Sequence, residues 1–337
     1  MNEPDQAEPR PETALNRREV LIKGGLATAG AAFLGAPLAA SAAVERGARG
    51  PRSLKIAVIT HGAGDAFWSV AHKGASAAGS DLGIKVLYSE GRNDPQKQAQ
   101  LIQAAVSQKV KGIATSLPSP SAMKDALNRA RAAHIPVITL NSGENQFKSL
   151  GAITHVGQDE SVAGKGAGRK LKGAGLKKLL VVIHEQANIG LEQRYSGAKA
   201  GFGNAARLQV TGLSDVSATT QQIQSKLTAD RGIDAVLTLN PQIATAAQQA
   251  IAGAHSKAKL ATFDLSSDVI NAIQKGTMLF AIDQQQYLQG YLPVVFLYLF
   301  NTNLNTVGGG QPVLTGPGFV EKSNAAKVKA LTAKGTR

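Results

Sequence analysis

The residues able to do chemistry gather where short apolar runs end. Ile56 to Thr60 leads into His61-Gly-Ala-Gly-Asp65-Ala-Phe67-Trp68, Gly112 to Ser116 into Leu-Pro-Ser-Pro, and Val137 to Leu140 into Asn141-Ser142-Gly143-Glu144. Further on, Leu179 to Ile183 is followed by His184-Glu185-Gln186 and then Arg194, Ala235 to Thr238 by Leu239-Asn240-Pro241, and Leu260 to Phe263 by Asp264. A last run, Met278 to Ile282, ends in Asp283-Gln284-Gln285. Neutral amides, hydroxyls, single carboxylates, one arginine and paired aromatics dominate these ends. A ligand hydroxyl both donates and accepts, so carboxylate, amide and guanidinium groups together match a polyhydroxyl compound. Aromatic faces can cover its apolar C–H patches.

Other chemistries lack their parts. His184-Glu185 has no second histidine at zinc-helix spacing, and the six histidines show no ligand pattern. Gly164-Lys165-Gly166-Ala-Gly168 has the composition of a phosphate loop but not its Lys-Ser/Thr order, and reads better as a helix whose small residues allow close packing. There is no Gly-x-Ser-x-Gly elbow. Asp159-Glu160 opens a helix, where two carboxylates favour the dipole. No catalytic set is expected, nor any metal or cofactor.

The apolar runs are short, β-branched and apolar on both faces, as strands covered by helices should be. Further strand-like runs fall at Ile84 to Tyr88 and Val210 to Leu213. Helical patterns lie between them: Phe67 to Leu82, Pro95 to Gln108, Ser121 to Ala133, Ser161 to Lys172, Leu191 to Ala206, Thr219 to Asp230, Gln242 to Ala252, Ser267 to Lys275 and Tyr287 to Phe300. Asp94-Pro95 opens one helix, and Gly83 and Gly276 close two. Strand followed by helix, repeated this often, implies parallel sheets with right-handed crossovers. The repetition divides into two similar halves, up to about His155 and from Leu179 to Phe263. Two doubly wound sheets then face each other across a cleft, and ligands of such sheets bind at the C-terminal ends of the strands.

At 337 residues with 43 % apolar and 18 % charged, the chain is globular and long enough for two cores. No cysteine is present, which excludes disulfides, thiolate metal sites and a cysteine nucleophile. The net charge of +14 comes from scattered lysines, and aromatics make up only 4 %, so a solvated basic surface is the better reading than a nucleic-acid site. Arg17-Arg18 precedes the uncharged, Ala- and Gly-rich stretch from Gly24 to Leu38, with Ala40-Ser41-Ala42 beyond it. This is similar to a twin-arginine export signal over residues 1–43, and Pro37 with the glycines argues against a spanning helix.

From Leu54 to about Lys334 the chain resembles the periplasmic sugar-binding proteins of ABC importers, in the ribose- and galactose-type branch that includes sugar-alcohol receptors. The likeness is carried by Asp65-Ala-Phe67-Trp68, by Asn93 to Ile102, by Ile135 to Leu140, by Gly157-Gln-Asp159, by Phe263-Asp264, by Asp283-Gln284-Gln285 with Tyr287 to Tyr291, and by Leu314 to Val320. It implies the type I periplasmic binding fold: an α/β chain of two doubly wound parallel-sheet lobes joined by a three-segment hinge. The lobes expected are 54–155 plus 286–312 and 156–284 plus 313–334, with crossings near His155 to Gln158, Gln284 to Gln286 and Gln311 to Val313 and a last helix around Asn324 to Ala333. Closure about the hinge accompanies ligand entry. The resemblance further implies that Phe67 and Trp68 sandwich the ligand, that Asp65 and Asn141 bind it from the first lobe, and that Arg194 donates to it as a fork. Asn240 and Asp264 would bind hydroxyls, and Gln284 would do so beside the hinge. Where the ribose-type pattern has Asp-Arg after the fourth strand this chain has Asn141-Ser142, and Ser116 stands for an asparagine, so a ligand other than ribose is expected.

The implied function is a periplasmic receptor that binds a monosaccharide or sugar alcohol and delivers it to an ABC permease, as a monomer, without nucleic acid or cofactor. A receptor feeding chemotaxis or a sensor kinase is the alternative. A sugar-responsive repressor would need a helix-turn-helix where the export signal lies, and an exported carbohydrate enzyme would need an acid/base pair across the cleft, for which only Asp65 and Asp264 offer themselves. Blander roles compete at individual positions: core packing for Phe67 and Trp68, a surface charge for Arg194, a turn at Asn240-Pro241 and a helix cap for Asp264, although Ser266 and Ser267 already offer caps.

Overall fold

The computed structural model describes residues 53–337; the expected export signal lies outside the described residues. Twelve strands in chain order are β1 Lys55–Thr60, β2 Lys85–Glu90, β3 Gly112–Ser116, β4 Val137–Asn141, β5 His155–Gln158, β6 Leu179–Ile183, β7 Ala205–Gln209, β8 Ala235–Thr238, β9 Lys259–Phe263, β10 Phe280–Asp283, β11 Val313–Gly316 and β12 Gly318–Glu321. Ten α-helices accompany them among the described residues: α1 Ala66–Leu82, α2 Pro95–Ser107, α3 Pro120–Ala132, α4 Glu160–Gly173, α5 Ile189–Phe202, α6 Val216–Ala229, α7 Pro241–Gly253, α8 Ser267–Lys275, α9 Gln286–Asn303 and α10 Ala325–Lys334. The strands form two six-stranded sheets, in the orders β11-β5-β4-β3-β1-β2 and β12-β10-β9-β8-β6-β7. All pairings are parallel except β10 with β12. The order reverses at β1/β3 in one sheet and at β6/β8 in the other, so the loops after these strands splay apart and leave a crevice.

Alternation along each strand divides the core into layers. Ile56 and Val58 face one side of the first sheet with Ala75 and Val294, while Ala57 and Ile59 face the other with Ile102 and Met123. In the second sheet Leu180 and Val182 point one way, Leu179, Val181 and Ile183 the other. Successive strand side chains alternate in direction, so a strand covered on both faces must be apolar throughout.

The helix ends follow their sequence signals. Asp94 caps α2 by accepting from the Gln96 and Lys97 amides, and Gly83 and Gly276 close α1 and α8 in left-handed conformation. The Gly-Lys-Gly-Ala-Gly stretch lies in α4 and packs against α5. A Cβ on Gly164 would strike the Arg194 carbonyl, and one on Gly197 the Ser161 carbonyl, so the two backbones touch only because these residues lack side chains.

Two features differ from the sequence expectation. Val210 to Leu213 is not a strand: β7 is Ala205–Gln209, and Leu191 to Ala206 is not one continuous helix, because α5 stops at Gly203 (φ 99°). This edge strand is only half covered, so it lacks the continuous apolar run of its neighbours. β5 and β11 also belong to the first sheet along their whole length, so its strands run on to Gln158 and Gly316, past the boundaries expected. After β10 of the second sheet, α9 packs on β1, β3, β4 and β5 of the first.

Candidate functional site

All the residues expected to contact ligand line one cavity between the two lobes: Asp65, Phe67, Trp68 and Asn141 from the first, Arg194, Asn240 and Asp264 from the second, and Gln284 between β10 and α9. Each owes its position to a strand end or a helix start. Asp65 is the N-cap of α1, its Oδ1 accepting from the Trp68 amide at 2.9 Å, so the carboxylate and the indole are fixed by the same turn. Asn240 caps α7 in the same way, with Oδ1 accepting from the Gln242 amide at 2.8 Å. Its Nδ2 is left free to reach Asp65 Oδ2 across the cleft at 3.3 Å. One end of the Asn240 amide thus serves the helix start, while the other faces the cavity.

Phe67 and Trp68 are buried, and their rings meet edge to face at 79° with centroids 4.8 Å apart. Perpendicular rings form a corner, not the two parallel plates that a sandwich requires, so the expected sandwich by this pair is corrected to an aromatic corner. A second edge contact, from Trp68 to His61 at 4.9 Å, continues it.

Arg194 is buried on α5 and lines the cavity, but most of its fork is engaged within the protein. Nε and Nη2 donate to the two carboxylate oxygens of Glu160 at 2.6 and 2.8 Å, Nη1 to the Leu239 carbonyl at 3.3 Å, and the guanidinium lies over the Phe263 ring at 4.5 Å. Burial works to lower the Arg194 pKa, but the surrounding carboxylates, Glu160 first and then Asp264 and Glu185, together outweigh it and hold the group charged. Glu160 is 1 % exposed, and it was legible in sequence only as a dipole partner of the helix start. Helix initiation in fact belongs to Asp159, which caps the Val162 amide at 2.8 Å, leaving Glu160 to turn inward.

Asp264 follows β9 with φ of 67°, a conformation that an aspartate tolerates better than most residues. It caps nothing: Ser266 caps α8 by accepting from the Val269 amide. Asp264 Oδ1 accepts from Gln284 Nε2 at 2.7 Å, and Oδ2 lies 4.0 Å from Arg194 Nη1. Burial raises its pKa to about 7 against the lowering effect of Arg194, and burial likewise raises Asp65 to about 6 against its bond from Trp68. A hydrogen-bond donor reaching either carboxyl would favour its ionised form. Gln284 completes the array, its Oε1 accepting from Gln289 Nε2 at 3.0 Å and from Asn141 Nδ2 at 3.5 Å.

A second cluster was not anticipated. Glu185 Oε2 lies 3.4 Å from His61 Nε2 and accepts from Asn188 Nδ2 at 2.6 Å, while Asn188 also reaches His61 at 3.3 Å, so the three bridge the lobes. Despite its burial, which works to raise its pKa, His61 and His184 hold the Glu185 carboxyl well below the usual range. Ser142 lines the cavity and donates to Asn141 Oδ1 at 2.9 Å. Ser116 does not line it; its hydroxyl stands behind His61, accepting from that residue's amide at 2.8 Å.

The profile of the periplasmic binding protein domain matches residues 56–300. The chain belongs to that family. A carbohydrate transporter protein of Acidothermus cellulolyticus, solved in complex with myo-inositol, is 44 % identical, with a TM-score of 0.82 over 84 % of this chain and 99 % of that one. A periplasmic sugar-binding protein of an ABC sugar transporter from Legionella pneumophila is 26 % identical, with a TM-score of 0.73 over 78 % of this chain and 99 % of the other. Among curated relatives, the ribose import binding protein of Haemophilus influenzae is 26 % identical over 68 % of this chain and 79 % of its own length. In this chain an amide and a hydroxyl, Asn141 and Ser142, stand at the end of β4, hydrogen-bonded to each other and offering no charge.

Proposed function

We propose that this protein is an exported solute receptor that encloses a single six-membered polyol or monosaccharide ring, with myo-inositol the first candidate, and hands it to an ABC permease. The observation that carries this reading is the convergence of Asp65, Asp264, Asn141, Asn240 and Gln284 on one aromatic-cornered cavity between two lobes. Alternating acceptors and donors match a ring with a hydroxyl on every carbon, and no fixed cation pairs with a ligand charge, because the fork of Arg194 is held by Glu160. The relative bound to myo-inositol supports the ring class. We infer that the hinge comprises Gln158–Asp159, Gln284–Gln285 and Gly316–Pro317, where the chain leaves one sheet for elements packed on the other. The paired arginines at Arg17-Arg18 support export by the twin-arginine route to the periplasm.

The protein acts as a monomeric binder, not as an enzyme. Asp65 and Asp264 are each hydrogen-bonded to an amide side chain, Asn240 and Gln284, which suits them to hold hydroxyls. Trp68 is the sole tryptophan and lines the cavity, so its fluorescence reports binding. Titration with inositols, linear polyols, pentoses and hexoses should give a saturable change for one or a few compounds, with matching thermal stabilisation. No response to any of them, or steady conversion of a bound compound to product, would overturn the reading.

A further inference from the structure

Beside this narrow cavity, whose volume is about 30 Å3, lies a larger one. His61, His184, Glu185 and Asn188 line both, and beyond them a chamber of about 630 Å3 lies between the loops after β2 and β3 of one lobe and those after β6 and β7 of the other. That volume falls within the range of small-molecule sites, about 300–1,000 Å3.

Two residues of its lining each carry a fully buried acceptor atom that has no donor in the protein. Gln98 on α2 is fully buried; its Nε2 donates to the Ser116 carbonyl at 2.8 Å and to Thr115 Oγ1 at 3.1 Å, which leaves Oε1 unpartnered. From the opposite lobe, His184 is 8 % exposed and its Nδ1 is unpartnered, while Nε2 faces Glu185 Oε1 at 3.6 Å. Burial lowers the His184 pKa to about 4, so the ring is neutral, and with the proton on the nitrogen nearer the carboxylate, Nδ1 is an acceptor. A buried acceptor without a donor is costly, and a side-chain turn toward the chamber would offer each to a ligand hydroxyl. The rest of the wall is chiefly amide and hydroxyl, as at Asn93, Gln186, Gln209 and Gln222. Arg92 and Glu185 are its only residues of fixed charge, and no Phe, Tyr or Trp lines it. Such a surface suits a neutral hydroxylated group better than a phosphate or an aromatic one.

Building on the ring site proposed above, we propose that the chamber is a second subsite and that the complete ligand is a ring polyol bearing one glycosyl unit. The glycosidic link crosses the His61–Glu185–Asn188 partition by replacing the Asn188–His61 contact, the longer of the two bonds from the Asn188 amide.

Calorimetric titration of the full chain with myo-inositol and with galactosyl-myo-inositol tests this. The glycoside should bind about tenfold tighter or better, the worth of one additional well-placed hydrogen bond. Gln186→Phe, which fills the chamber from an exposed wall position, should erase that advantage and leave myo-inositol affinity unchanged. Gln98→Met should reduce the ratio of the two affinities. A glycoside that binds no tighter than myo-inositol, or an advantage that survives Gln186→Phe, overturns the second subsite and leaves the ring site standing. Binding of neither compound overturns both.

Discussion

Replacing Asp264 by Asn separates binding from folding, because the two effects have opposite sign. The φ of 67° is one that Asn accepts readily, and an Asn Oδ1 can still accept from Gln284 Nε2, so the backbone and the neighbouring amide stay in place. The losses are the charge and the acceptor Oδ2, which has only Arg194 at 4.0 Å beside it. A hydroxyl donating to a carboxylate contributes about 1.5–3 kcal/mol, so Kd should rise about ten- to 150-fold. Stability moves the other way. Burial raises the Asp264 pKa from 3.8 to about 7, so the folded state binds the proton more tightly than the unfolded chain does. The contribution therefore favours the fold at low pH and is lost as pH rises from about 4 to about 7, a difference on the order of 4 kcal/mol for the closed form. Asparagine carries no such loss. Scanning calorimetry of the unliganded proteins should show the variant melting at or above the wild type at pH 8, with the two converging near pH 4. A variant that binds normally, or that melts well below the wild type at pH 8, would refute the assignment of Asp264 to the ligand.

The other predictions concern the supports of the site. Glu160→Gln leaves Arg194 buried without its counter-charge and should lower stability by about 3–5 kcal/mol in urea unfolding; an unchanged midpoint would show that the pair is dispensable. Gly197→Val drives a side chain into the Ser161 carbonyl, so it should cost at least about 1–3 kcal/mol and weaken ligand binding as Arg194 shifts. Gly173→Ala, near the end of α4 with open space around it, should be neutral or slightly stabilising in the same thermal assay.

What could be read from the sequence depends on whether a residue's role is set locally. Asp264 was legible because it ends an apolar run, with Ser266 available to cap the helix that follows, so the aspartate had no structural duty left. Asp65 and Asn240 were legible because they follow apolar runs at the C-terminal ends of parallel strands, where the crevice between lobes lies. Glu160 was not, since its partner Arg194 belongs to another helix. The signal lay in the glycines: Gly164 and Gly168 on one helix and Gly197 and Gly201 on the other, each pair four apart, mark two backbones in contact, which brings the first turn of α4 beside Arg194. His61, Glu185 and Asn188 form a network only when the lobes meet, and no pattern within either half encodes it. The edge strand β7 escaped because Ala205–Gln209 is half exposed and continues the periodicity of the helix before it.

We propose that Gln284 couples occupancy to closure. Its Nε2 holds Asp264, which follows β9 of the second sheet, while its Oε1 accepts from Asn141 at the end of β4 and from Gln289 on α9, both on the first lobe. Its own carbonyl accepts from Thr315 Oγ1 at 2.7 Å, tying the crossing after β10 to the strand that leads into the third. Rotation of one lobe against the other must lengthen at least one of these bonds, so a ligand that bonds Asp264 and Asn141 together replaces contacts that Gln284 would otherwise carry alone. Gln284→Leu fills similar space and removes both polar ends. It should weaken ligand binding about tenfold or more, as two hydrogen bonds at about 1 kcal/mol each imply, and also shrink the ligand-induced decrease in radius of gyration seen by small-angle X-ray scattering. Weakened binding with full compaction at saturating ligand would reduce Gln284 to a contact residue and place the coupling elsewhere in the hinge.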